Sequence, residues 1–357
     1  MEFDNLILQQ LDQLDLDSLS EVIGMLPHNS GFLGINEIKS FLLQIIYGES
    51  IFDLDMFTSN LLKSFLGQVQ NSLSVCSMLL LVSMLSGLFT GLTESFGKHT
   101  VSRIGSMICV LITVSLSAAE FVRIYQSCME TIDVMIISVQ SLFPVLFPLV
   151  VASGSAVSGS IVHPLILSLI TAVSTVAERW FLPGIFYSCS LCLVGRMVNQ
   201  SFLNKTGKLI KDGVVFALGL TVTLLSAVTA LQGTVGRSAD SLLMKTARYS
   251  VDNFIPFIGG FAADSMDMVI QCTTTIKNAV GIWGILVLIV LMVGPLIRLS
   301  AVLLIFRLGS VVTEAISEPM ISGCMEDIAS SITTLAVIYT LLGILFIVFL
   351  TIIISIL

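Results

Sequence analysis

Charge is what this sequence has least of. Of its 357 residues, 11% are Asp, Glu, Lys or Arg, while 55% are hydrophobic and the mean hydropathy is +1.00. A soluble domain carries about 25% charged residues. So few charges cannot clothe a water-facing surface of this size, which excludes a soluble enzyme and makes a multi-span membrane protein the expected class. The apolar runs are long and continuous, so the ~10-residue alternation of a membrane β-barrel is excluded as well. Basic tracts are missing, and with them any nucleic-acid footprint. The seven cysteines (Cys76, Cys109, Cys128, Cys189, Cys192, Cys272 and Cys324) are scattered through apolar surroundings, where Cys behaves as a small hydrophobe. Cys189-Ser-Leu-Cys192 has no second ligand pair, so metal or redox work is not expected and no cofactor is implied. There is no Gly-rich phosphate loop with Lys-Ser/Thr, no HExxH and no GxSxG. An enzyme is therefore not expected, and any energy would come from a gradient or a partner.

What charge there is lies unevenly. The first 60 residues hold ten acids against Lys39 alone, and the other 14 acids and 15 bases nearly cancel. This divides the chain into an acidic, amphipathic-helical segment over residues 1–70 and a multi-span body over 71–357. In the first, Ser18 and Glu21 fit a capping box ahead of a helix stopped by Pro27. Asn36 can cap a helix through Tyr47 that Gly48 closes, and Asp53 or Asp55 can cap a third through Leu66. These faces suit either a small cap folded on the membrane body or a docking module for another protein. The chain opens Met1-Glu2-Phe3-Asp4, without a signal peptide. Either a processing site or start-site choice hides one, or the first apolar span acts as the insertion signal.

Apolar runs of about 17–25 residues, the length needed to cross ~30 Å of hydrocarbon, recur from Leu73 onward. They fall near Leu73–Leu92, Ile104–Val122, Ile132–Ala152, Ile161–Ala177, Phe181–Val198, Val214–Leu231, Ala279–Ile297, Ser300–Ile316 and Ile332–Ile354. The expected fold is all-α and polytopic, with about eight to nine spans. Val251–Ile270, with Asp252, Asp264 and Asp267 and the breakers Pro256, Gly259 and Gly260, reads as interfacial, re-entrant or protein-buried. The basic clusters Lys98/Arg103 and Arg196/Lys205/Lys208/Lys211 share a side if the spans alternate. The positive-inside rule then puts the N-terminal segment outside and the C-terminus inside, with Trp180 and Trp283 near the outer interface.

Four features bear on function. Pro144 and Pro148 lie four apart, followed by the small-residue run Ser153–Ser160 with Gly154 and Gly159, then His163-Pro164. Prolines remove backbone bonds from a helix face, and such backbone at membrane depth must be covered by protein or line water. A broken-helix conduit and a kinked, close-packed hairpin both fit; His163 suits a structural hydrogen bond better than a proton relay. Asn253–Gly260 is similar in its Phe/Pro arrangement to Phe143–Pro148, which would suit paired interrupted segments of a repeat. Arg298, Arg307 and Glu314 sit in or beside one apolar stretch, with Arg307 and Glu314 seven apart on one face. A charge at a helix centre costs ~2.5–3.5 kcal/mol, so these are expected to face protein, as an ion pair, or a watery path. Gly87 and Gly91 form a GxxxG, suited to packing within the chain or between copies.

Ser153–Pro164, Thr246–Pro256, Ile276-Lys-Asn-Ala-Val-Gly-Ile282 and Pro319-Met-Ile-Ser322, in this order behind a polar N-terminal segment, resemble the stage III sporulation protein AE family. The resemblance covers most of the chain from about residue 30 onward. It implies a multi-pass protein of the mother-cell membrane around the engulfed forespore. It also implies an assembly spanning both membranes, a channel or feeding apparatus needed for late forespore development. The implied partners are the other proteins of the stage III sporulation A operon, including a cytoplasmic secretion-type ATPase and ring-forming proteins, and stage II sporulation protein Q. The resemblance carries over no catalytic residues. A stand-alone secondary transporter of a small solute, and a membrane scaffold without a conduit, are the competing expectations.

Overall fold

A run of Leu, Ile, Val and Phe too long for a strand has one way to satisfy its backbone in lipid, which is to bond within itself as a helix. The computed structural model follows that rule. It describes residues 7, 10, 38–48, 54–96, 99–198, 200–254, 259–316 and 319–355, and among these there is no strand. The helices are α1 (Ile38–Tyr47), α2 (Leu54–Phe96), α3 (His99–Ala152), α4 (Ala156–Val176), α5 (Leu182–Met197), α6 (Ser201–Phe254), α7 (Gly259–Ile316) and α8 (Pro319–Ser355). A π-helical turn, Ala177–Phe181, joins α4 to α5 without a break.

Among the described residues, six stretches are long and apolar enough to cross a membrane: Thr58–Phe89, Ile104–Ala152, Pro164–Met197, Ser201–Ala227, Met266–Ile316 and Pro319–Ser355. The nine apolar runs of the sequence lie on these six. Three neighbouring pairs are fused, on α3, on α4–α5 and on α7. The reason is local. The polar gap in α3, Arg123–Thr131, contains charge but no glycine or proline, and Arg123 bonds Glu120 at 2.7 Å one turn away. Charge marks a gap in hydropathy, but a breaker is needed to turn the chain. The same holds at the N-terminus. The helix expected after Asp53 begins at Leu54 and continues as the first span. The helix closed by Gly48 is present as α1, with Gly48 at φ +69°. The helix expected around residues 18–27 lies outside the described residues.

The α3–α4 turn shows what stops a helix here. Gly154, at φ +94°, donates to the Val151 carbonyl at 3.2 Å, and Ser155 donates to Val150 at 3.3 Å. This is a Schellman closure, whose left-handed residue glycine adopts without strain.

Helices α7 and α8 form the centre as an antiparallel pair. Ser310 lies against Ser322, Leu291 against Tyr339, and Gly281 against Ile354. Pro295 inside α7 removes the N–H that would bond the Leu291 carbonyl. The wholly buried Tyr339 hydroxyl of α8 donates to that same carbonyl at 3.2 Å. Most other intramembrane hydroxyls bond their own helix four residues back, as Thr113 does to Cys109, Ser138 to Val134 and Thr223 to Gly219.

The outward faces are apolar. Leu81 and Leu88 of α2 and Phe202, Leu209 and Phe216 of α6 are exposed, a pattern a soluble monomer does not show. Trp180 is 72% exposed, as an interfacial indole would be, whereas Trp283 is wholly buried between helices rather than at an interface. All seven cysteines are free and buried.

Candidate functional site

Neither Pro144 nor Pro148 breaks α3, which runs through both to Ala152. Phe143, Val145, Leu146 and Leu149 pack inward, while Pro144, Pro148 and Gln140 are exposed. The face weakened by proline thus points away from the chain's own core. Pro164 is likewise inside α4 and exposed. It lines a shallow outward groove with Ser168, Thr171 and Thr175, whose hydroxyls bond their own helix. Gly154 sits in the turn between these two helices. Gly159 and His163 lie on α4, and Gly259 and Gly260 open α7; their side-chain surroundings lie outside the described residues, as does Pro256.

The charges of α7 correct an expectation. Arg307 and Glu314 are exposed, not buried. Arg298 is half-buried, and its Nε is buried without a hydrogen-bond partner. The GxxxG of α2 divides in two. A side chain at Gly87 would strike the Ile316 carbonyl at the end of α7, whereas Gly91 faces open space.

The polar centre that the structure does build lies elsewhere, where the α5–α6 hairpin meets α8. The hairpin is tight. Ser188 donates to the Gly207 carbonyl at 2.6 Å, and a Cβ at Gly207 would press into Cys192 and Ser188. At its turn, Arg196 Nε donates to Asp327 Oδ2 at 2.7 Å, with the Asp327 side chain 7% and the Arg196 side chain 27% exposed. Gly323, one turn before Asp327, forms the floor of the socket; any Cβ there would enter the guanidinium. Lys211 donates to the Ser330 carbonyl at 3.1 Å and to its hydroxyl. Two residues that read as loop charges are therefore turned inward to pin α8. Lys205 and Lys208 remain exposed.

Sequence reasoning missed Asp327 because the last span was expected to begin at Ile332. The signal was there: α8 is continuous from Pro319, which places Asp327 in an apolar helix, and an ionisable residue in such a place implies a partner. Chemically the cluster can hold three helices in register. No group of three or more metal-ligating side chains occurs among the described residues.

A profile of the family described as Stage III sporulation protein AE matches residues 36–356. The chain belongs to the stage III sporulation protein AE family. It is 25% identical over 339 residues to Stage III sporulation protein AE of Bacillus subtilis (strain 168), covering 95% of this chain and 83% of that relative. No solved structure matches. Family and apolar helices together make this a multi-pass membrane protein of sporulation.

Proposed function

We propose that the chain is a membrane component of a secretion-like channel complex linking mother cell and forespore, required for late forespore development. The observation that carries this reading is the family match across nearly the whole chain, residues 36–356. In this reading it resides in the mother-cell membrane. Its partners are the other proteins of the stage III sporulation A operon, among them a cytoplasmic ATPase and ring-forming proteins, together with stage II sporulation protein Q.

The geometry favours a particular form of conduit. Pro144, Pro148 and Pro164 are exposed, and backbone loosened by proline is tolerated at membrane depth where protein or water covers it. A second copy or a partner subunit, meeting the outward faces of α3 and α4, supplies that cover. The passage then runs between chains rather than through one. A stand-alone secondary transporter would instead keep its interrupted segments inside a single chain.

The test is complementation of a spore-forming host that lacks its own member of the family, with a forespore-specific late reporter as readout. Wild type should restore the reporter. Pro144→Ala with Pro148→Ala should insert at normal levels, because an interior helical proline costs ~3 kcal/mol that alanine does not, and should fail to restore it. Full reporter activity from that variant sinks the conduit assignment; no rescue by wild type sinks the sporulation role itself.

A further inference from the structure

Helices α6 and α8 run parallel, in contact at both ends of a shared groove. At one end Lys211 bonds Ser330. At the other, Val222, Leu225 and Ser226 of α6 and Leu341, Ile344, Leu345, Val348 and Phe349 of α8 line a crevice of about 130 Å³. The path between the ends is open. At 100° per residue, Lys205, Lys208, Asp212, Val215, Gly219, Val222 and Ser226 form one stripe along α6. A Cβ at Gly219 would touch nothing, and Val215 is exposed. On α8 the facing stripe is Glu326, Ser330, Val337, Leu341, Ile344 and Val348, with Glu326, Val337, Ile344 and Val348 exposed.

From Lys208 to Val222 is 14 residues, or about 21 Å of helix. Half a bilayer including its headgroups is about 20–22 Å. A phosphate held at Lys205 and Lys208 therefore places the end of its acyl chain at the crevice. The charges at the groove's mouth decide the headgroup. Beside Lys211, two exposed cations, Lys205 and Lys208, stand with two exposed anions, Asp212 and Glu326. A mouth that offers both signs can hold the phosphate and the ammonium of a zwitterion at once.

We propose that the α6–α8 groove is a specific site for a phospholipid with an ethanolamine-type headgroup. Its phosphate lies on Lys205 and Lys208, its ammonium faces Asp212 and Glu326, and the end of one acyl chain enters the crevice at Val222 and Leu341. This lipid props a face of α6 that the chain itself covers little over Ser201–Ala227.

The test uses the full chain in detergent and native mass spectrometry, with 16-carbon phosphatidylethanolamine, phosphatidylglycerol and phosphatidylcholine as probes. Phosphatidylethanolamine should be retained at least tenfold over the other two. Lys205→Gln with Lys208→Gln should lower retention about tenfold, and so should Ser226→Phe, which fills the crevice. All three positions are exposed or at the crevice rim, so the fold survives; Lys63→Gln, an exposed lysine on α2, is the control and should change nothing. Equal retention of all three lipids, preference for phosphatidylglycerol, or unchanged retention in either variant overturns the site.

Discussion

Removing one partner of the Arg196–Asp327 pair should harm the fold more than removing both. The carboxylate is 7% exposed and the guanidinium side chain 27%, so truncating either leaves a mostly desolvated charge. Breaking a buried pair costs ~3–5 kcal/mol, whereas exchanging the whole pair for apolar residues is often neutral. Because Arg196 retains some exposure, the low end applies, and Asp327→Leu and Arg196→Met should each cost about 3 kcal/mol. The double variant should lie closer to wild type than either single one. Gly323→Ala adds a third arm. Its methyl group would displace the guanidinium, so it should destabilise the wild type and be nearly silent with Arg196→Met. Lys211→Met should cost about 1 kcal/mol, since Ser330 is neutral and can turn to its own helix. The assay is reversible unfolding in mixed micelles of a mild detergent and dodecyl sulfate, followed by the fluorescence of Trp283, which is wholly buried. Additive losses in the double variant, or an Asp327→Leu protein as stable as wild type, would refute the assignment of this pair as the pin between the α5–α6 hairpin and α8.

Two further outcomes follow from backbone accounting. Tyr339→Phe should cost roughly 1–3 kcal/mol in the same unfolding assay, because the Leu291 carbonyl loses its substitute donor. Pro295→Ala, which restores the helical donor, should make that loss largely disappear; a Tyr339→Phe penalty unchanged by Pro295→Ala would show that packing alone holds Tyr339. Gly87→Ala should destabilise through its collision with the Ile316 carbonyl, while Gly91→Ala, facing open space, should leave monomer stability unchanged and report through any change in oligomer size on gel filtration.

Helical class, membrane residence and the cap at Gly48 were legible because each follows from one residue type at one spacing. The family was legible from four short segments whose order mattered more than their chemistry. The number of helices was harder to read. Hydropathy falls at Arg123–Thr131 and at Glu178–Trp180, yet nothing there forces a turn, so apolar runs that the sequence separates lie on one continuous helix. The charge cluster was harder still. Arg196 and Lys211 carry the same signature as solvated loop lysines, and only the position of Asp327 and Ser330 on a helix more than a hundred residues later separates the cases. For the same reason Arg307 and Glu314 misled: seven residues apart defines a shared face, but not which way that face turns.

The fused spans also change where the chain ends. With nine separate crossings, the Arg196 turn and the C-terminus fall on the same side. With six helices each crossing once, one fusion before Lys205 cancels another, and the Lys98 and Arg196–Lys211 clusters stay together on the positive side. The third fusion, in α7, has no counterpart and sends the C-terminus across. Helix directions support the six-crossing scheme. From the Lys211–Ser330 bond, Val222 and Leu341 are each 11 residues onward and line one crevice, so α6 and α8 are parallel. Nine alternating crossings make the corresponding segments antiparallel. Single cysteines at Ser201 and Ser355, both exposed, decide the matter against native cysteines that are all buried. In intact cells a membrane-impermeant maleimide should label Ser355→Cys and spare Ser201→Cys until the membrane is opened. Labelling of both from one side would mean that α8 does not cross in the direction of α6, and the groove between them would lose its membrane frame.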